Sequence, residues 1–128
     1  MKQANELRIG NWVSFEKEPF IVTGINQIFN DEPYEVQLKD SGGMFQDVGI
    51  EDISPIPITS DWLIKLGFKD EGKEMCLSVL QYKIQYSGWS PDILVSCKED
   101  NLVIKVKHIH HLQNIIFALT NSELTTTP

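Results

Sequence analysis

The sequence predicts an α+β protein, mostly β, in which an N-terminal SH3-like small barrel is followed by a helix–three-strand–helix unit. Three observations predict it. Residues 34–39, YEVQLK, alternate apolar and polar side chains at the period of a half-buried strand. Four or five such short segments, separated by turn signals, fall between residues 7 and 54, a density that suits a small barrel or strongly bent sheet. Residues 107–120, KHIHHLQNIIFALT, switch to the helical period and place Ile109, Leu112, Ile116 and Leu119 on one stripe, with Ile115 at its border.

Taken in order, WVSF is a strand, EKEP a polar turn in which Pro19 suits the turn or a strand start, and FIVTGI the next strand. YEVQLK follows, with Tyr34, Val36 and Leu38 on one face; DSGG supplies turn residues that tolerate positive φ, and MFQDVGI resumes the sheet. SPIPI is an extended connector, because each proline disfavours helix in the residue before it. TSDWLIKLGF is a two-turn helix with Thr59 as N-cap, Asp61 in the first turn, an Ile58–Leu63 staple and Gly67 as C-terminal cap. Such a short helix relies on anchors, here Trp62, Leu63 and Leu66. MCLSVLQYKIQY reads as one strand, with Cys76, Ser78, Leu80, Tyr82, Ile84 and Tyr86 on one face; SGWSP is a loop carrying Trp89; DILVSC and LVIKV form a hairpin around KEDN. The expected organisation is a barrel over residues 1–57, an α-β-β-β-α unit over 58–124 packed on it, and a disordered tail over 125–128.

Composition narrows the function. Hydrophobic residues make up 41% and charged residues 23%, so the chain is globular rather than disordered. No apolar run approaches the length of a membrane span and the N-terminus lacks a signal-peptide core, so the expected location is the cytoplasm. Eighteen acidic against 11 basic residues give a formal charge of −7, which weighs against general nucleic-acid binding and suits attraction of a basic protein surface or mimicry of a polyanion. Lys98, Lys105 and Lys107 form the best local basic patch, interrupted by Glu99 and Asp100. Cys76 and Cys97 lie in strand-like segments and read as reduced structural thiols.

Motifs for chemistry are few. DSGGM lacks the lysine of a phosphate loop, no GxSxG elbow occurs, and the acidic groups NDEPYE and GIEDI read as solvated turns. All three histidines fall in HIHH. On a regular helix His108 and His111 would share a side while His110 lies nearly opposite His108, so the segment is not a three-histidine metal site. His110, Gln113, Asn114 and Phe117 share a side of the helix away from the core stripe, a face that either packs on the barrel, as the apolar Phe117 favours, or binds a ligand. With Tyr82 and Trp89, the residues His110, Gln113 and Asn114 are the candidate binding set, because aromatics beside amides can stack on and hydrogen-bond a ligand. No catalytic residue, metal ligand or cofactor is assigned.

Three motifs, NELRIGNWV, PIPITSDWLIKLGF and HHLQNIIFALTNSEL, together resemble a family of small uncharacterised proteins of gut anaerobes and their phages and mobile elements, with the pattern ELRIGN, PIPLTEEWLLKFGF and VHQLQNLYFALTGEEL. His110, Leu112, Gln113 and Asn114 match its HxLQN part; His111 stands for a glutamine, and Asn121 for the glycine after the final threonine, where it can still take the left-handed cap. The resemblance carries no activity. It implies a setting, a phage or mobile-element accessory gene.

The expected function is therefore non-enzymatic: binding a host or phage protein as an inhibitor or modulator. The alternative is sequestration of a small-molecule nucleotide signal as an anti-defence protein, which needs a positive pocket. Nucleic-acid binding through the SH3-like barrel is a further alternative, and homo-oligomerisation remains open.

Overall fold

The computed structural model describes residues 7–27, 34–72, 74–87, 92–97, 100–121 and 123–124. They are mostly strand and form two units, one of residues 1–56 and 108–114, the other of residues 57–107 and 115–128. The N-terminal half of the last helix thus groups with the first unit.

The first unit is built on a curled five-stranded antiparallel sheet in the order β4-β3-β2-β1-β5. Its strands are β1 (Trp12–Phe15), β2 (Glu18–Asn26), β3 (Glu35–Lys39), β4 (Phe45–Gly49) and β5 (Ile53–Ser54), with a 3-10 turn, Ile50–Asp52, before β5. β1 and β2 close through Glu16 and Lys17, at φ +51° and +68°, the mirror-image turn whose twist matches a two-residue hairpin. Pro19 sits opposite Ser14, before the first β2–β3 pair at Ile21, so its missing N–H leaves that ladder intact. A register shift between Val22 and Gly24 bends β2. The pairing puts Val13, Phe15, Phe20, Val22, Val36, Leu38, Val48 and Ile53 on one side. With Leu7 and Ile50 these are the core, and each fully buried aliphatic contributes about 1.5–3 kcal/mol. Tyr34, expected beside Val36 and Leu38, precedes the strand and is exposed.

The second unit contains α1 (Ser60–Lys65), a second antiparallel sheet in the order β10-β9-β8-β7-β6, and the C-terminal half of α2 (Ile109–Thr120). The cap chemistry of α1 follows the sequence: the Thr59 hydroxyl accepts from Trp62 N–H at 3.3 Å. Gly67, at φ +98°, donates to the Ile64 carbonyl and Phe68 N–H to that of Leu63, the paired bonds of a Schellman end. Leu63, Leu66 and Phe68 are buried, whereas Trp62 is half-buried with the Lys65 ammonium 4.9 Å from its ring centroid.

Two expectations for this sheet are corrected. Five strands, not three, separate the helices: β6 (Lys69–Asp70), β7 (Met75–Val79), β8 (Tyr82–Tyr86), β9 (Asp92–Cys97) and β10 (Asp100–Lys105). Residues 75–86 are not one strand but a hairpin that reverses at Leu80–Gln81, with Val79 opposite Tyr82. A two-residue turn switches the parity of the side chains. Met75, Leu77 and Val79 therefore share a face with Tyr82, Ile84 and Tyr86, and Cys76 and Ser78 go to the other face. The sequence hides this turn because Leu80 holds φ +54° where glycine or asparagine would signal it. Its side chain is 73% exposed, so little packing offsets the strain. Leu80→Gly is expected to raise stability by about 0.5–1 kcal/mol in urea unfolding; a loss of stability would mean that the Leu80 side chain makes a contact that outweighs the turn.

Cys76 and Cys97 are unbridged and fall on opposite faces of this sheet. Burial, reinforced by the Glu71 carboxylate, pushes the Cys76 thiol up, away from the reactive thiolate. Among the described residues no helix is long and apolar enough to cross a membrane.

Candidate functional site

Gln113 and Asn114, two of the candidate residues on α2, hydrogen-bond to residues 10–12, at the end of a tight turn. Arg8 to Asn11 form a tight turn: Asn11 N–H donates to the Arg8 carbonyl at 3.0 Å, and Gly10 holds φ +101°, the left-handed position such a turn reserves for glycine. The Asn11 side chain locks it, its Oδ1 accepting from Arg8 N–H at 2.7 Å. Gly10 N–H then donates to the Val22 carbonyl, and Val22 N–H to that of Asn11, both at 2.8 Å, which extends the β1–β2 ladder into the turn.

Two side chains of α2 complete this turn. Gln113 Oε1 accepts from Trp12 N–H at 2.8 Å, and its Nε2 donates to the Gly10 carbonyl at 3.1 Å. One amide thus serves the two backbone groups, one residue apart on either side of Asn11, that a neighbouring strand would otherwise serve. Asn114 Oδ1 accepts from Asn11 Nδ2 at 2.8 Å, and the Arg8 guanidinium donates to the Gln113 carbonyl at 3.4 Å. Asn11 and Gln113 are fully buried. RIGN and LQN, two of the segments that carry the resemblance, are therefore halves of one polar network centred on the buried side chains of Asn11 and Gln113. Sequence reasoning saw each segment but not their pairing, since no local periodicity links positions about a hundred residues apart.

The histidines differ from expectation. His108 and His110 are not on opposite sides: their rings stack, centroids 5.8 Å apart and planes 10° from parallel. The reason is the helix start. Ile109 N–H donates to the Ile56 carbonyl, and the His108 carbonyl accepts the first helical bond from Leu112, so His108 stands outside the helix. His110 is 6% exposed, and its Nδ1 has no hydrogen-bond partner. Burial above all, with the neighbouring His108 and His111, lowers its pKa to about 4. His111 is exposed. Among the described residues no group of three or more His, Cys, Asp or Glu is placed to hold a metal.

Tyr82, in the second unit, is half-buried at the start of β8, opposite Val79 and Cys97. Trp89 lies outside the described residues. The same unit has an open depression lined by Ser60, Asp70, Gly72, Glu74, Met75, Tyr86 and Ser87. Its two carboxylates already accept hydrogen bonds, Asp70 from Gly72 N–H at 2.9 Å and Glu74 from Gln85 Nε2 at 2.7 Å. A hollow with this lining repels an anionic ligand.

No family model, curated protein or solved structure matches the chain. No enzyme relative is found, and nothing in the described site geometry points to catalysis.

Proposed function

We propose that this is a non-enzymatic accessory protein of a phage or mobile element that acts by binding a host or phage protein. The observation that carries the reading is the β3–β4 hairpin. Asp40 accepts from Gly42 and Met44 N–H, both at 2.9 Å, which fixes the turn. The same turn presents Met44 and Phe45 at 70% and 59% exposure, with the Lys39 ammonium 5.8 Å from the Phe45 ring. A rigid turn holding a methionine and an aromatic in water is costly unless something covers them. The charge of −7 suits a partner with a basic rim. The finer SH3-like assignment of the first sheet belongs to this proposal; the order β4-β3-β2-β1-β5, with a 3-10 turn before β5, supports it. The resemblance of NELRIGNWV, PIPITSDWLIKLGF and HHLQNIIFALTNSEL to small proteins of gut anaerobes and their phages supports the phage or mobile-element setting.

The test is affinity capture from a bacterial host lysate with the tagged full chain, beside a Met44→Ser/Phe45→Ser variant that retains its melting temperature. The reading expects one protein recovered stoichiometrically by the parent chain and lost from the variant. Capture that is equal in both would remove the hairpin from the interface. An extra mass on each chain in native mass spectrometry would favour a sequestered small molecule instead, and salt-dependent retention on DNA or RNA would favour the nucleic-acid alternative.

A further inference from the structure

β10 is an open edge of the second sheet, charged at its two ends by Asp100 and Lys105 but with no charge, proline or bulge over residues 101–104. The edge strands β5 and β6 are each two residues long, and the edge strand β4 exposes Gln46 and Asp47. β10 is six residues long, pairs with β9 without a bulge from Asp100↔Cys97 to Lys105↔Asp92, and contains no proline. Leu102 and Val103 at its centre are 53% and 63% exposed. Its outer side pairs with no strand among the described residues. A straight apolar edge of this kind is a template for another strand.

We propose that the occupant is β10 of a second copy of this chain, paired antiparallel about a two-fold axis at Val103. Cys97 and Asp100 close a two-residue link and so form a hydrogen-bonded pair. By alternation, the outward backbone groups are those of Asn101, Val103 and Lys105. Opposed residues of antiparallel strands point to the same side, which restricts a symmetric pairing to registers that match the faces of the two copies. The axis at Val103 sets Val103 against itself, Leu102 against Ile104 of the second copy and Asn101 against its Lys105. Every apolar side chain of the strand then meets an apolar one, and on the order of six backbone hydrogen bonds form.

Charge selects the direction. Asp100 opens the strand, Lys105 closes it and Lys107 lies just beyond, all three exposed. Antiparallel pairing brings the basic end of each copy to the acidic end of the other, whereas parallel pairing would set like charges side by side.

Sedimentation equilibrium of the full chain from micromolar to millimolar concentration tests this, with a monomer–dimer equilibrium expected. Val103→Lys sets two ammonium groups on the axis and should weaken the dimer about tenfold or more. Gln46→Lys, the same charge change on the β4 edge of the first sheet, should leave it intact. In a Cys97→Ser background, Val103→Cys should form a disulfide-linked dimer on mild oxidation, because the Cα separation of a hydrogen-bonded pair, about 5.5 Å, lies in the disulfide range; Leu102→Cys should not. A monomer at every concentration overturns the proposal, as does a dimer indifferent to Val103→Lys. Cross-linking through position 102 rather than 103 overturns the register. Should Val103→Lys fail to fold, the cysteine pair decides alone.

Discussion

Gln113→Met is expected to lower the unfolding free energy by about 2–4 kcal/mol, although methionine matches glutamine in length and suits a buried helix position. The volume is kept and the hydrogen bonds are lost. Trp12 N–H and the Gly10 carbonyl would each face a thioether and methyl in place of the amide that now serves both. Stranding a buried donor or acceptor costs about 1–3 kcal/mol each, more than the net worth of the bond itself. Asn114→Ala, which removes one partner from Asn11, should cost nearer 1 kcal/mol. Urea unfolding followed by tryptophan fluorescence and far-ultraviolet circular dichroism measures both. A glutamine kept for a ligand would behave differently: its replacement would leave stability within about 0.5 kcal/mol of the parent or raise it. The comparison therefore separates a structural amide from a binding one.

The second large effect is on acid stability, and it comes from His110. Its pKa falls from the ordinary 6.5 to about 4, chiefly through burial and then through His108 and His111. A neutral folded imidazole that protonates readily once unfolded makes the unfolded chain bind more protons between these values, so stability falls as pH falls. The contribution is fully present above about pH 6.5, is lost progressively towards pH 4, and amounts to about 3 kcal/mol across that window. His110→Leu should flatten this part of the stability–pH curve. It should not lower stability at pH 7.5, because the Nδ1 it removes has no hydrogen-bond partner to lose. Carboxylates also titrate near pH 4, so the measured quantity is the difference between variant and parent. A parallel pair of curves from pH 7.5 to pH 4 would show that His110 titrates as an ordinary solvated imidazole.

Both effects sit in a segment that the sequence marks without explaining. HIHHLQN stands out because it gathers all three histidines, and the sequence leaves its polar side as a face that packs on the barrel or binds a ligand. Of those candidates, Gln113 and Asn114 turn inward to the Arg8–Asn11 turn, and His110 is buried against His108. The surface features lay elsewhere, in Met44 and Phe45 and in Leu102 and Val103. The turn signals DSGG and KEDN flagged the segments after them as strands, but exposure depends on which neighbour covers a face, and that is not a local property.

What the sequence determined by itself is whatever depends on near neighbours along the chain. The period of Val36 and Leu38 marked β3, and both are fully buried. Thr59, Leu63 and Gly67 specified the cap, the anchor and the end of α1 within a span of nine residues. Asn121 takes the left-handed conformation, φ +54°, just after α2, as its place after the final threonine implied. What tertiary structure decided depends on partners far along the chain. Leu80 is forced into a turn that its own preferences oppose, because the strands on either side gain a full ladder by pairing. The start of α2 is set by a bond from Ile109 to Ile56, which moves His108 out of the helix and onto the ring of His110. Gln113 reads as a polar face in the sequence and becomes a buried strand substitute in the fold. A buried amide is stable only where its donors and acceptors are met, and those it meets belong to residues 10 and 12.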